Sequence, residues 1–71
     1  MNAATFNATI GVLDRDLTNH RAAFRLVLRA HVSAPSSRYV QELRRHYRRI
    51  TALEQEQARL AEHFHWHKWT E

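Results

Sequence analysis

The chain has no cysteine among its 71 residues, so neither a disulfide nor a thiolate metal cage can hold it together. Glycine and proline occur once each, as Gly11 and Pro35. A β-sandwich or barrel needs a turn signal about every 8 to 12 residues, and two breakers cannot supply them. All-β folds are disfavoured on that ground. No run of large apolar residues exceeds Leu26-Val27-Leu28, whereas a membrane span needs about 20. The chain therefore reads as soluble, with no membrane partner. Residues 1–12 carry no positive charge ahead of an apolar stretch, so they do not read as a secretory signal, and the expected location is the cytoplasm. A chain of this length buries only about 60% of the surface its unfolded form exposes. Its stability must come from apolar packing, from self-association or from a partner.

Acid is scarce where base is dense. The net charge is +4 and the isoelectric point about 10.7, which favours acidic partners such as nucleic acid or an acidic protein surface. Between residues 19 and 50, eight arginines (Arg21, Arg25, Arg29, Arg38, Arg44, Arg45, Arg48, Arg49) face the single acid Glu42, a net of +7. The flanks hold Arg15, Arg59 and Lys68 against six acids, a net of −3. Ten of the eleven cations are arginine, the side chain better suited to bidentate contact with phosphate or carboxylate. Alanine is abundant too, so the coding bias of a GC-rich genome also explains the arginine content, and the bias alone identifies no ligand.

The periodicity predicts an all-α antiparallel helical hairpin. Residues 1–9 are small and polar apart from Phe6 and read as a flexible arm. The Asn7-Ala8-Thr9 sequon is a chance match in a chain with no sign of secretion. In the helix-one region, residues 10–32, Ile10, Leu13, Leu17, Phe24, Val27 and Leu28 recur at helical spacing, with His20 and His31 filling the gaps. They span an arc of about 100°, the width of an amphipathic stripe. The helix starts near Ile10 or restarts after Asp16 behind a short extra helix, since Gly11 weakens the first turn and Asp14, Asp16 and Thr18 are all possible N-caps. Residues 33–37 form the loop, where Pro35 ends helix one and a serine caps helix two. Helix two, residues 38–65, carries Tyr39, Val40, Leu43, Tyr47, Ile50, Leu53, Leu60 and Phe64 at helical spacing. If helix one begins near Leu17, it covers only about half of helix two, and part of helix two then lacks an intramolecular neighbour. Glu54 and Gln57 interrupt its stripe and mark its second half as the poorer core. Residues 66–71 form a tail.

Two constellations stand out. Arg44, Arg45, Arg48 and Arg49 form two i,i+4 pairs opposite the apolar stripe, each pair destabilising a bare helix by roughly 0.2–0.5 kcal/mol. With Arg38 they are candidate partner-binding residues. The ladder Arg21, Arg25, Arg29 lies beside helix one's stripe. Such faces are either ordinary solvated surface or docking surfaces for an acidic protein or for phosphates, and phosphate contacts position without specifying sequence. The second constellation is the tail, His63-Phe64-His65-Trp66-His67-Lys68-Trp69. Trp66 and Trp69 are candidate hot-spot residues for a partner, unless the tail folds back on the hairpin. His63 and His67 have helical chelate spacing, but no carboxylate or thiolate completes a site, and no cofactor is expected. The histidines could instead make association sensitive to pH. Leu26, about 160° around helix one from Phe24, raises the prospect of self-association into a four-helix bundle. Nothing supports catalysis: Ser33, Ser36 and Ser37 have no recognisable base and orienter, and no glycine-rich phosphate cradle is present. The chain reads as a non-enzyme.

The segment Ile10-Gly11-Val12-Leu13-Asp14-Arg15-Asp16, taken with the amino-terminal arm and the tail at residues 63–71, resembles the small phage-encoded transcription regulators that bind bacterial RNA polymerase, of the type found in a Xanthomonas lytic phage. The likeness covers the whole chain and offers no motif to match residue by residue, so no site residue is carried over. It implies a partner, bacterial RNA polymerase in the host cytoplasm. It also implies an action: blocking host promoter initiation by disturbing the sigma factor's engagement, together with antitermination. The other readings that the residues leave open are a basic helical nucleic-acid binder and a self-assembling helical bundle. A helix-turn-helix usually has glycine in its turn, and Gly11 is not in the turn. A bundle would be expected to have a heavier stripe without Glu54 and Gln57.

Overall fold

The structure, a computed structural model, describes the backbone of residues 2–70 and the side chains of residues 2–63. Two helices, α1 (Ala3–Ser33) and α2 (Ser37–Thr70), pack as an antiparallel hairpin about 55 Å long. The expected fold class is the observed one. The expected arm is not, because α1 begins at Ala3 rather than near Ile10. Asn2 is its N-cap: the side-chain oxygen accepts the Thr5 backbone N–H at 2.8 Å, and the carbonyl accepts the Phe6 N–H at 2.9 Å. Such a cap contributes about 1 kcal/mol. The half-buried Phe6 lies one helical step before Ile10 and Leu13 and extends their stripe to the amino terminus.

The helix runs unbroken past Gly11 and Asp16, so there is no separate short helix. A lone glycine costs only about 1 kcal/mol in a helix interior, too little to break one anchored on both sides. A Cβ added at Gly11 meets nothing within 4 Å, and its φ is not positive. Gly11→Ala is therefore expected to raise stability by about 0.5–1 kcal/mol, read as a higher melting temperature by circular dichroism.

The turn is three residues, 34–36, shorter than the expected 33–37. The Ala34 N–H closes α1 on the Ala30 carbonyl at 2.9 Å, and Pro35 ends the helix. The serine that caps α2 is Ser36, whose hydroxyl oxygen accepts the Arg38 N–H at 3.2 Å. The Ser36 N–H in turn donates to His31 Nδ1 at 3.1 Å, and the His31 ring meets Tyr39 edge-on. Helix α2 continues beyond residue 65 into the segment read as a tail.

Because α1 spans 31 residues against 34 in α2, no half of α2 is left bare, and the expected order of packing is reversed. Among the described residues the buried hydrophobics are Leu17, Leu53 and Leu60, two of them in the half of α2 expected to pack less well. Glu54 and Gln57 interrupt the stripe because they bond across the hairpin. Glu54 meets Arg21 at 3.2 Å, and the Gln57 amide donates to the Asp14 carboxylate. Tyr47 and Leu28, expected in the stripe, lie on its exposed rim. Half-buried between the helices, His20 and His46 face each other Nδ1 to Nδ1 at 3.1 Å. A hydrogen bond there requires one ring to present Nδ1–H and the other a bare Nδ1. Neither described helix is long and apolar enough to cross a membrane.

Candidate docking face

On the outward side of α2, Arg44, Arg45, Arg48 and Arg49 line one shallow concavity with Gln41 and Ala52 between them. All four are exposed, and among the described residues none is paired with an acid. The sequence explains why. Helical neighbours lie three and four residues away, and at those positions the four arginines find Val40, Gln41, Tyr47, Thr51, Ala52, His46, Leu53 and one another. The single acid within reach is Glu42, which turns to Arg38 instead at 3.9 Å.

The remaining described arginines divide. Arg21 is held by Glu54 across the hairpin, and Arg59 by Glu56 one turn away. The hydrogen bond from Arg59, reinforced by its charge, keeps the Glu56 carboxyl below the usual glutamate value, and Glu56 raises Arg59 in return. Arg15, Arg25 and Arg29 are exposed on α1 without an acid partner among the described residues, and of these only Arg15 lies away from the turn. Uncompensated charge is thus concentrated in the half of the hairpin next to the turn.

The structure brings together four of the five arginines singled out in the sequence. It sets Arg38 apart, beside Glu42 in a separate concavity with Pro35 and Tyr39. The side chains of Trp66 and Trp69, like those of His65 and His67, lie outside the described residues. No group of three or more histidine, aspartate or glutamate side chains is placed to hold a metal among the described residues.

One part of the face was not legible as a site in the sequence. Phe24 of α1 meets Leu43 and Tyr47 of α2 in an open, apolar groove of about 240 Å³, with Arg44 and Arg48 on its rim. Tyr47 is 63% exposed. Its ring lies at the edge of the α2 stripe, about 40° beyond Leu43, which is where a stripe meets the surface. The adjacent arginines are the signal that this edge belongs to a surface site. An apolar slot with a cationic rim accepts an aliphatic or aromatic side chain carried on an acidic segment.

No protein-family model matches the chain, and no match was found among curated proteins or solved structures.

Proposed function

We propose that this chain is a non-enzymatic transcription regulator that docks the arginine face of α2 on an acidic surface of bacterial RNA polymerase and so inhibits promoter initiation. The observation that carries the docking face is the cluster of four exposed arginines with no acid paired to them among the described residues. Two like-charged i,i+4 pairs weaken the helix that bears them. An anionic partner relieves that repulsion and speeds association. The identity of the partner, and an accompanying antitermination role, follow from the resemblance noted above.

Nucleic-acid phosphates would also satisfy the arginines. The groove beside Arg44 and Arg48 favours a protein instead, because a phosphate backbone leaves Phe24, Leu43 and Tyr47 uncovered whereas an apolar side chain fills the space between them. The test is capture from bacterial lysate at about 0.15 M salt, with and without nuclease, using the full chain as bait. Polymerase subunits retained after nuclease are the expected result. Loss of every captured protein with the nucleic acid would make the face a phosphate binder.

A further inference from the structure

Helix α1 has a second face, roughly opposite Leu17, that the hairpin does not use. Ala8, Val12, Arg15, Asn19, Ala22, Leu26 and Ala30 follow one another on it at steps of three and four residues. Val12 and Leu26 on this face are 55% and 66% exposed. Val12 and Leu26 are also equidistant from Asn19, seven residues or about 10 Å along the helix on either side. Ala8 and Ala30 are equidistant from it too, eleven residues away. A face with that symmetry is complementary to itself when a copy is laid antiparallel across it, as a two-fold interface requires.

We infer that a second copy of this chain packs on α1 about a two-fold axis at Asn19, Val12 of each copy against Leu26 of the other, giving an antiparallel dimer. Charge supplies the independent argument. The turn half of the hairpin, residues 19–51, carries eight arginines against Glu42. Among described residues, the open half carries Arg15 and Arg59 against Asp14, Asp16, Glu54, Glu56 and Glu62, a net of −3. An antiparallel pair sets each basic half beside its partner's acidic half. The small side chains at positions 8, 22 and 30 let the two α1 backbones come close, and the three buried hydrophobics among the described residues of one hairpin leave apolar packing for a second copy to add.

Charge also decides against the other exposed apolar surface as the place for a copy. The Phe24, Leu43, Tyr47 groove lies wholly in the basic half, so a two-fold axis there would bring Arg44 and Arg48 of both chains together. The α1 dimer leaves that groove and the arginine face free on both outer sides. It stands whether or not polymerase is the partner.

The test uses the full chain and its lack of cysteine. Sedimentation equilibrium at 0.15 M salt should give twice the 8.5 kDa chain mass, with dissociation promoted by raised salt. Under mild oxidation Asn19→Cys should cross-link two chains, while Gln55→Cys, exposed on α2, should not. Leu26→Glu should raise the dimer dissociation constant by roughly 100-fold, since it puts a charge in the apolar contact. Should that variant lose helicity, the cysteine pair still decides, because both cysteine substitutions are at exposed polar positions. A mass of 8.5 kDa at every concentration up to several hundred micromolar would overturn the inference. So would cross-linking at position 55 equal to that at position 19.

Discussion

Leu17→Ala is expected to lower stability by about 3 kcal/mol and the melting temperature by roughly 15 °C, the largest effect of any single truncation in the hairpin. Leu17 is 2% exposed and is the only fully buried side chain among the described residues. The cross-hairpin pairs Asp14–Gln57 and His20–His46 bracket it on either side, and the hairpin has no other layer from which to repack the space. Leucine-to-alanine changes at such sites cost about 2–5 kcal/mol, the spread reflecting how far the surroundings collapse. A domain of this size has a total of only about 4–10 kcal/mol, so the loss takes a large share of it. Val32→Ala supplies the control: that residue is exposed, and the change should stay within about 0.5 kcal/mol. Thermal melts followed by circular dichroism at one fixed protein concentration compare the two, since association would make the midpoint concentration-dependent. Equal shifts for Leu17 and Val32 would show that the helices are not held by this core.

The second large effect is on binding. Replacing Arg44, Arg45, Arg48 and Arg49 together with glutamate should abolish partner capture and leave helicity intact. All four side chains are exposed, and none takes part in an ion pair with a described acid or in a hydrogen bond across the hairpin. The fold therefore loses no ion pair with a described acid and no cross-hairpin hydrogen bond when they change, while a docking surface changes by eight units of charge. Reversing charge at an electrostatic interface slows association and adds like-charge repulsion. A glutamine version at the same four positions should be intermediate, because it removes the attraction without adding repulsion. Unchanged capture by the glutamate variant, with unchanged helicity, would remove this face from the account.

Much of the architecture was legible in the sequence because it is written in period and punctuation. The steps of three and four from Ile10 and from Tyr39, with Pro35 and a capping serine between them, specify two antiparallel helices. The start of α1 is not legible, because capping by Asn2 depends on the backbone placing its side chain over the Thr5 N–H and Phe6 alone is a weak periodic signal. A helix one that begins near Leu17 leaves part of α2 without cover and turns Glu54 and Gln57 into flaws in a stripe, whereas the full-length α1 makes them cross-hairpin partners of Arg21 and Asp14. Polar residues at an interface register as interruptions until their partners are known. The arginine ladder was fully visible, since i,i+4 spacing fixes its geometry. The groove beside it was not, because it needs Phe24 from one helix and Leu43 and Tyr47 from the other.

The central claim is that the arginine face docks directly on a protein, and its most direct test is a titration of fluorescently labelled chain with purified, nucleic-acid-free bacterial RNA polymerase at about 0.15 M salt, followed by anisotropy. The account predicts saturable binding by the native chain and a dissociation constant at least about 100-fold higher, some 2.7 kcal/mol, for the glutamate variant of Arg44, Arg45, Arg48 and Arg49. Absence of binding by the native chain, or equal affinity of the two, would contradict it.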